Sequence, residues 1–347
     1  MFVAFFKDKD VCLVVGSCLK MVSELGERRI IDIILECLDI MPSMPVPLGD
    51  DASAVEIGDE KLAVIKSDML VGKTDVPAGM SLRQSARKAV VMNISDLAAK
   101  GVKPVAVLSS LGLPRGLKED EIREIGFGLN EGAREYGAYV VGGDTNEASD
   151  LVISCSVLGF CDKGAFVKRN GASPDEIVAV TGSFGKTASG LKILMEKIPA
   201  PAEIRDVLVE SVLMPKARLR EGLALAHSGA ATSSIDSSDG LSWSLRELSK
   251  ASNVGFIIED VPISREVKKF AKSHNLNPTE LALYGGEEYE LVVTVKPELW
   301  DTASKAVAKF GTQLNKIGRV TEERKILLRT HGGEIPMLAK GWEHFKA

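Results

Sequence analysis

The sequence of 347 residues is short of several things an active site or targeting signal is often built from. It has four histidines, His227, His274, His331 and His344, so imidazole general bases are few. No apolar run approaches the ~20 residues of a membrane span. Net charge is −5 and no basic tract occurs, which argues against a nucleic-acid footprint. The five cysteines, Cys12, Cys18, Cys37, Cys155 and Cys161, include no pair at zinc-site spacing. An odd number of thiols suits a reduced, cytoplasmic setting. Residues 1–20 are apolar but interrupted by Lys7, Asp8, Lys9 and Asp10, without the basic–apolar–small order of a secretory signal. They are expected to be a doubtful N-terminal extension, with ordinary sequence beginning at Met21.

A complete nucleotide-binding P-loop is also missing. "TGSFGKTASG", residues 181–190, suggests one, but Gly-x4-Gly-Lys-Ser/Thr ending at Gly185 needs its first glycine at position 180, which is Val180. The loop is too short to wrap a phosphate, and is expected to be a glycine turn opening a helix.

What is present is the composition of a globular protein, 45% hydrophobic and 26% charged. Periodicity predicts helices over residues 22–40, over "MSLRQSARKAVVMNISDLAAKG" with Gly101 as its cap, and over "EDEIREIGFGLNEGAREYG". "KLAVIKSDMLV", "AYVV" and "LVISCSVLGF" read as strands, with "GGDT" as a turn after the second. A turn-rich joint, "KRNGASPDE", follows. The expected domains are residues 21–165 and 166–347. The second half mixes "IVAVTG", "VGFIIE", "EEYELVVTV", "NKIGRVT" and "KILLRT" as strands with helices from about Ala188 and from "DGLSWSLREL". Without a strict βαβ rhythm, the class is α+β.

Aspartates recur where strands or loops meet helices: Asp50, Asp51, Asp68, Asp96, Asp144, Asp236 and Asp239. Each singly fits a cap or a turn. Gathered in one cleft they would repel one another unless a hard divalent cation were shared, and magnesium favours such oxygen ligands together with phosphates.

The series "GDDASAV", "SDMLV", "NISDLAAKG", "GGDT", "RNGA", "TGSFG", "DSSDGL", "GGEEYEL" and "KGWEHF" resembles the thiamine-monophosphate kinase family, in order from about Val22 to Phe345. That family shares a superfamily with aminoimidazole ribonucleotide synthetase, selenophosphate synthetase and the hydrogenase-maturation ATPase. The resemblance implies a two-domain PurM-like architecture: an N-terminal α/β domain that dimerises through its sheet, and a C-terminal α+β domain beside it. It implies ATP-dependent phosphorylation of thiamine monophosphate to thiamine diphosphate, assisted by several magnesium ions. Metal ligands would be Asp51, Ser67, Asp68, Asp96, Asp144, Asp236 and Asp239, with Asp51, Asp68, Asp144 and Asp239 central to catalysis. Gly143, Asp144, Arg169 and Ser238 would contact ATP, and Asp75, Glu287 and Trp342 the substrate. Asp75 stands where related kinases carry a histidine, and Lys66 stands where they supply a metal contact that an ammonium cannot make. The acceptor is itself an anionic phosphate, so the transfer needs little general base. Other expectations are another ATP-using superfamily member with a different acceptor, or a non-catalytic magnesium–ATP binder. Selenophosphate synthetase and the hydrogenase-maturation enzyme are disfavoured by the lack of a suitably placed cysteine.

Overall fold

The structure, a computed structural model, describes residues 20–345, so Cys12, Cys18 and nearly all of the expected extension lie outside the described residues. Contacts divide the chain into a small unit, made by the residues up to Met41 and from Glu343 onward, and a large unit, Pro42–Trp342. The small unit holds α1 (Val22–Leu25) and α2 (Glu27–Glu36). The single helix predicted over 22–40 is thus interrupted at Gly26 and ends early.

The large unit begins with β1 (Ser53–Glu56), β2 (Lys61–Val71), the single turn α3 (Gly72–Asp75), α4 (Leu82–Ala99), β3 (Lys103–Leu113), α5 (Glu119–Glu135), β4 (Tyr139–Glu147) and β5 (Val152–Asp162). The five strands form one sheet in the order β1-β2-β5-β3-β4. Only β3 and β4 pair in parallel, because α5 supplies the crossover between them; the other pairs are antiparallel. The capping box Ser81–Gln84 starts α4, and Gly101, at φ +67°, follows its end as expected. Nearly every side chain of α4 is buried, including the charged Arg87, Lys88 and Asp96. A helix so enclosed is central to the unit, and its charges need internal partners.

The expected turn at "GGDT" is instead strand. The parallel ladder runs unbroken from Leu108↔Gly142 to Leu113↔Glu147, carrying β4 straight through these residues. Gly143 is required there, since a Cβ would lie 1.8 Å from the Ser109 carbonyl oxygen. The outer face of this sheet exposes Ile65, Met69, Leu108 and Phe160, while Val64, Leu70 and Val157 on the other face join the core with α4.

The chain continues through β6 (Ile177–Thr181), α6 (Lys186–Met195), α7 (Ala202–Leu213), α8 (Leu219–Ser228), β7 (Ala231–Asp236), α9 (Leu241–Ser252), β8 (Gly255–Ile258), α10 (Arg265–Ser273), α11 (Pro278–Tyr284), β9 (Leu291–Val295), α12 (Trp300–Ala308), β10 (Leu314–Thr321), β11 (Ile326–Thr330) and β12 (Gly333–Pro336). These strands form a seven-stranded sheet in the order β12-β11-β8-β10-β6-β9-β7, antiparallel except for β11 beside β8. The predicted strand "EEYELVVTV" shortens to β9, because Glu287 and Tyr289 take positive φ and break the pleat before Leu291. Two mixed α/β layers, each built on its own sheet, make the α+β class. Among the described residues no helix is long and apolar enough to cross a membrane.

Candidate metal and phosphate site

Four carboxylates from distant parts of the sequence meet beside α4. Asp51 sits in the bend before β1, Asp68 in β2, Asp96 in the last turns of α4, and Asp236 at the end of β7. One oxygen each of Asp51, Asp96 and Asp236 lies within 4.8 Å of the others, and all three residues are buried. Asn93, one turn before Asp96, accepts the Asp68 backbone N–H at 2.9 Å and fixes β2 against the helix. Ser95 donates to Asp236 at 2.6 Å, tying β7 to the same helix.

Cations surround the cluster. Lys100 Nζ, fully buried, donates to Asp50 Oδ1 at 2.7 Å and to the Ser234 carbonyl at 2.6 Å, and lies 2.7 Å from Asp51 Oδ2. Arg169 donates through Nε to Asp51 Oδ1 at 2.8 Å and through Nη1 to the Gly49 carbonyl at 2.8 Å. Lys66 Nζ stands 3.0 Å from both Asp68 Oδ1 and Asp96 Oδ2. Burial works against the charged form of Asp51, but Lys100 and Arg169 outweigh it and hold this carboxyl below its usual range. Asp236 is less well served: burial, with the charge of Asp51 added, pushes it up to about 7 against the Ser95 hydrogen bond. Asp96 is raised well above its usual range by burial, with Lys66 opposing and three neighbouring aspartates adding to the rise. Two buried carboxyls held above their normal range mark a site short of positive charge.

The donor set suits a hard divalent cation. It consists of carboxylate oxygens only, and Asp51 Oδ2 is buried with no hydrogen bond of proper geometry despite the nearby Lys100. Magnesium fits these residues.

The remaining expected ligands are not in this cluster. Asp144 is exposed on the edge strand β4. The row Asp68–Cys155–Ser109–Gly143 crosses the sheet in three strand spacings, about 14 Å, and Asp144 lies one residue beyond it. Ser67 alternates with Asp68 and so lies on the outer face, where Ser156 donates to it at 2.9 Å. Asp239 is half-buried and Ser238 exposed in the turn before α9. The Asp239 carbonyl accepts the Trp342 backbone N–H at 3.0 Å, which holds the half-exposed indole beside this turn.

The "GGEEYEL" segment places each glutamate differently. Glu287 pairs with the buried Lys88, whose ammonium also donates to the Asp75 carbonyl at 2.9 Å. The Asp75 carboxylate turns back to accept the Val71 N–H at 2.7 Å, so it closes the α3 turn. Glu288 accepts from the backbone N–H groups of Gly185 at 2.6 Å and Thr187 at 3.2 Å. The anion-binding N–H groups that make "TGSFGKT" look like a phosphate loop are therefore occupied by a carboxylate of the same chain. Glu290 accepts two hydrogen bonds from Arg218, at 2.7 and 2.6 Å.

Two family models divide the chain: the N-terminal domain of AIR synthase related protein matches residues 49–161, and its C-terminal domain residues 173–330. The thiamine-monophosphate kinase of Nitrosopumilus maritimus is 36% identical over 93% of this chain and 100% of its own length. That of Pyrococcus horikoshii is 38% identical over 86% and 91%. The chain belongs to the thiamine-monophosphate kinase family. Among solved structures, AaThiL complexed with AMPPCP and TMP matches with a TM-score of 0.83 at 28% identity, over 94% of this chain and all of that one. A HypE–HypF complex matches at TM-score 0.71 and 20% identity, a likeness of fold.

Within this kinase-family chain, the residues that sequence reasoning missed are two buried lysines. Lys88 and Lys100 lie in or just after α4, among small and apolar neighbours, and both are almost wholly buried. A lysine on an otherwise buried helix face was the available signal, since an ammonium is rarely enclosed without a carboxylate partner.

Proposed function

We propose that this protein transfers the γ-phosphoryl group of ATP to thiamine monophosphate, forming thiamine diphosphate by direct in-line displacement. The observation that carries this is the convergence of Asp51, Asp96 and Asp236 beside Lys66, Lys100 and Arg169, in a chain of the kinase family. Asp51, Asp96 and Asp236 would hold magnesium, with further ions expected toward Asp144, Asp239 and Ser67. Bound there, magnesium supplies charge neutralisation between the donor and acceptor phosphates.

The chain's own groups do the positioning. Ser95 and Asn93 hold Asp236 and β2 in place from α4, so the carboxylates are preorganised before substrate arrives. Arg169 supplies a guanidinium at the rim for ATP phosphate, with Asp144 and Gly143 on β4 and Ser238 before α9 as its further contacts. Lys88 fixes Glu287 and the α3 turn of Asp75, and Trp342 offers an exposed ring face suited to a cationic thiazolium. We place the boundary between two domains near residue 165. The exposed apolar row Ile65, Met69, Leu108 and Phe160 supports a homodimer through the five-stranded sheet.

The test is a coupled ADP-release assay with thiamine monophosphate, with and without magnesium. Turnover that needs both is expected. Tight magnesium–ATP binding without turnover would leave a nucleotide-binding protein and remove the kinase function.

A further inference from the structure

The acidic site contains a cation of its own on the β2 side. Lys66 reaches from β2 into the gap between two carboxylates, with its Nζ 3.0 Å from Asp68 Oδ1 and 3.0 Å from Asp96 Oδ2. The side chain is only 20% exposed and that of Asp96 10%, so the contacts are shielded from bulk water. Both neighbours are carboxylates, so the ammonium meets charge of opposite sign on each side. Asp96 also belongs to the group Asp51, Asp96 and Asp236, in which one carboxylate oxygen of each lies within 4.8 Å of the others.

An ammonium and a divalent ion cannot share one gap. Both need contact with the same oxygens, and their mutual repulsion at a few ångströms in a partly buried site is large. A side chain tethered to the strand also enters without the translational cost and dehydration that a free ion meets. We propose that Lys66 is a resident cation that takes the Asp68–Asp96 gap, so that this chain binds one divalent ion fewer than the same site would hold with a neutral residue at 66. Asp68 then serves as the partner of Lys66, and within this four-aspartate cluster the ion is held by Asp51, Asp96 and Asp236. The inference rests on the reading of those three aspartates as a metal site.

Mn2+ alone, titrated into the full chain and followed by the loss of the free-ion EPR signal, tests it without nucleotide or turnover. Wild type is compared with Lys66→Thr, Lys66→Met and Lys66→Arg, each checked for native circular dichroism. Lys66→Thr and Lys66→Met are expected to bind one more Mn2+ per chain than wild type, and Lys66→Arg the wild-type number. Adding Asp68→Asn to Lys66→Thr should remove the gained ion, whereas Asp68→Asn alone should leave the wild-type number unchanged. Equal numbers in wild type and both neutral variants, or a loss of a wild-type ion in Asp68→Asn, would overturn the proposal. The two readings fail separately. A wild type that binds no Mn2+ beside a Lys66→Thr that binds one would keep the role of Lys66 and remove the metal site. A bound ion in wild type with no gain in the neutral variants would do the reverse.

Discussion

Lys100→Met separates the electrostatic frame of the site from its chemistry. Methionine keeps most of the lysine stem, so packing changes little while the charge goes. The ammonium lost is fully buried, and its partners Asp50 and Asp51 have side chains 2% and 0% exposed. Both carboxylates would be left to Arg169 and backbone groups, and the Ser234 carbonyl would lose its donor. Removing one member of a buried ion pair costs about 3–5 kcal/mol, because the remaining charge stays desolvated. At about 1.4 °C per kcal/mol for a chain of this size, the apparent melting midpoint should fall by about 4–7 °C. Thermal and urea unfolding near pH 7.5, followed by circular dichroism, measures it. The double variant Lys100→Met with Asp50→Asn should recover at least half the loss, since one unpaired charge is removed and Asp51 keeps Arg169. A loss below about 1 kcal/mol, or no recovery in the double variant, would refute the claim that Lys100 holds the two aspartates by charge.

Glu288 sets a second expectation. Burial pushes its carboxyl up to about 7 from 4.5, so between those values the folded state keeps a proton that the unfolded chain releases. Stability is therefore fully present below about pH 4.5 and declines as pH rises toward 7, by at most about 3 kcal/mol from this group. Glu288→Gln should flatten that part of the urea-unfolding profile, and an unchanged slope would count against it. Asp144→Asn, at an exposed strand position, should leave the melting temperature within about 1 °C while abolishing ADP release; retained turnover would remove Asp144 from the machinery. Leu108→Glu, on the exposed apolar face, should convert a dimer to a monomer in light scattering, and an unchanged mass would move the interface elsewhere.

Some expectations were legible because they depend on local chemistry. Gly101 after α4 and the apolar run that became β2 are short-range signals, and each appears where the sequence reading puts it. "GGDT" was misread as a turn because its two glycines carry the propensity of one. What overrides that propensity is β3, which lies some 35 residues earlier and approaches Gly143 too closely for any Cβ. The break of "GGEEYEL" before β9 had no local marker either, since positive φ at Glu287 and Tyr289 is rare for such residues and is held by tertiary hydrogen bonds to Ser237 and Ser238.

The sequence by itself determined the strongly periodic elements such as α4, α5 and β2, that carboxylates outnumber any other charged group, and that a phosphate loop was too short by its own count. It also carried the ordered motifs that place the chain in its family. Only the tertiary structure decided which carboxylates share a site. Asp51, Asp96 and Asp236 meet because α4 is packed between β2 and β7, whereas Asp144 stands across the sheet. It also decided that the N–H groups of the 181–190 loop hold Glu288, and that Lys66 and Lys100 fill the spaces between aspartates. The physical reason is range. Turn, cap and alternation signals act over a few residues, while the balance of buried charge is settled between groups as far as 199 positions apart, brought together by the burial of apolar surface.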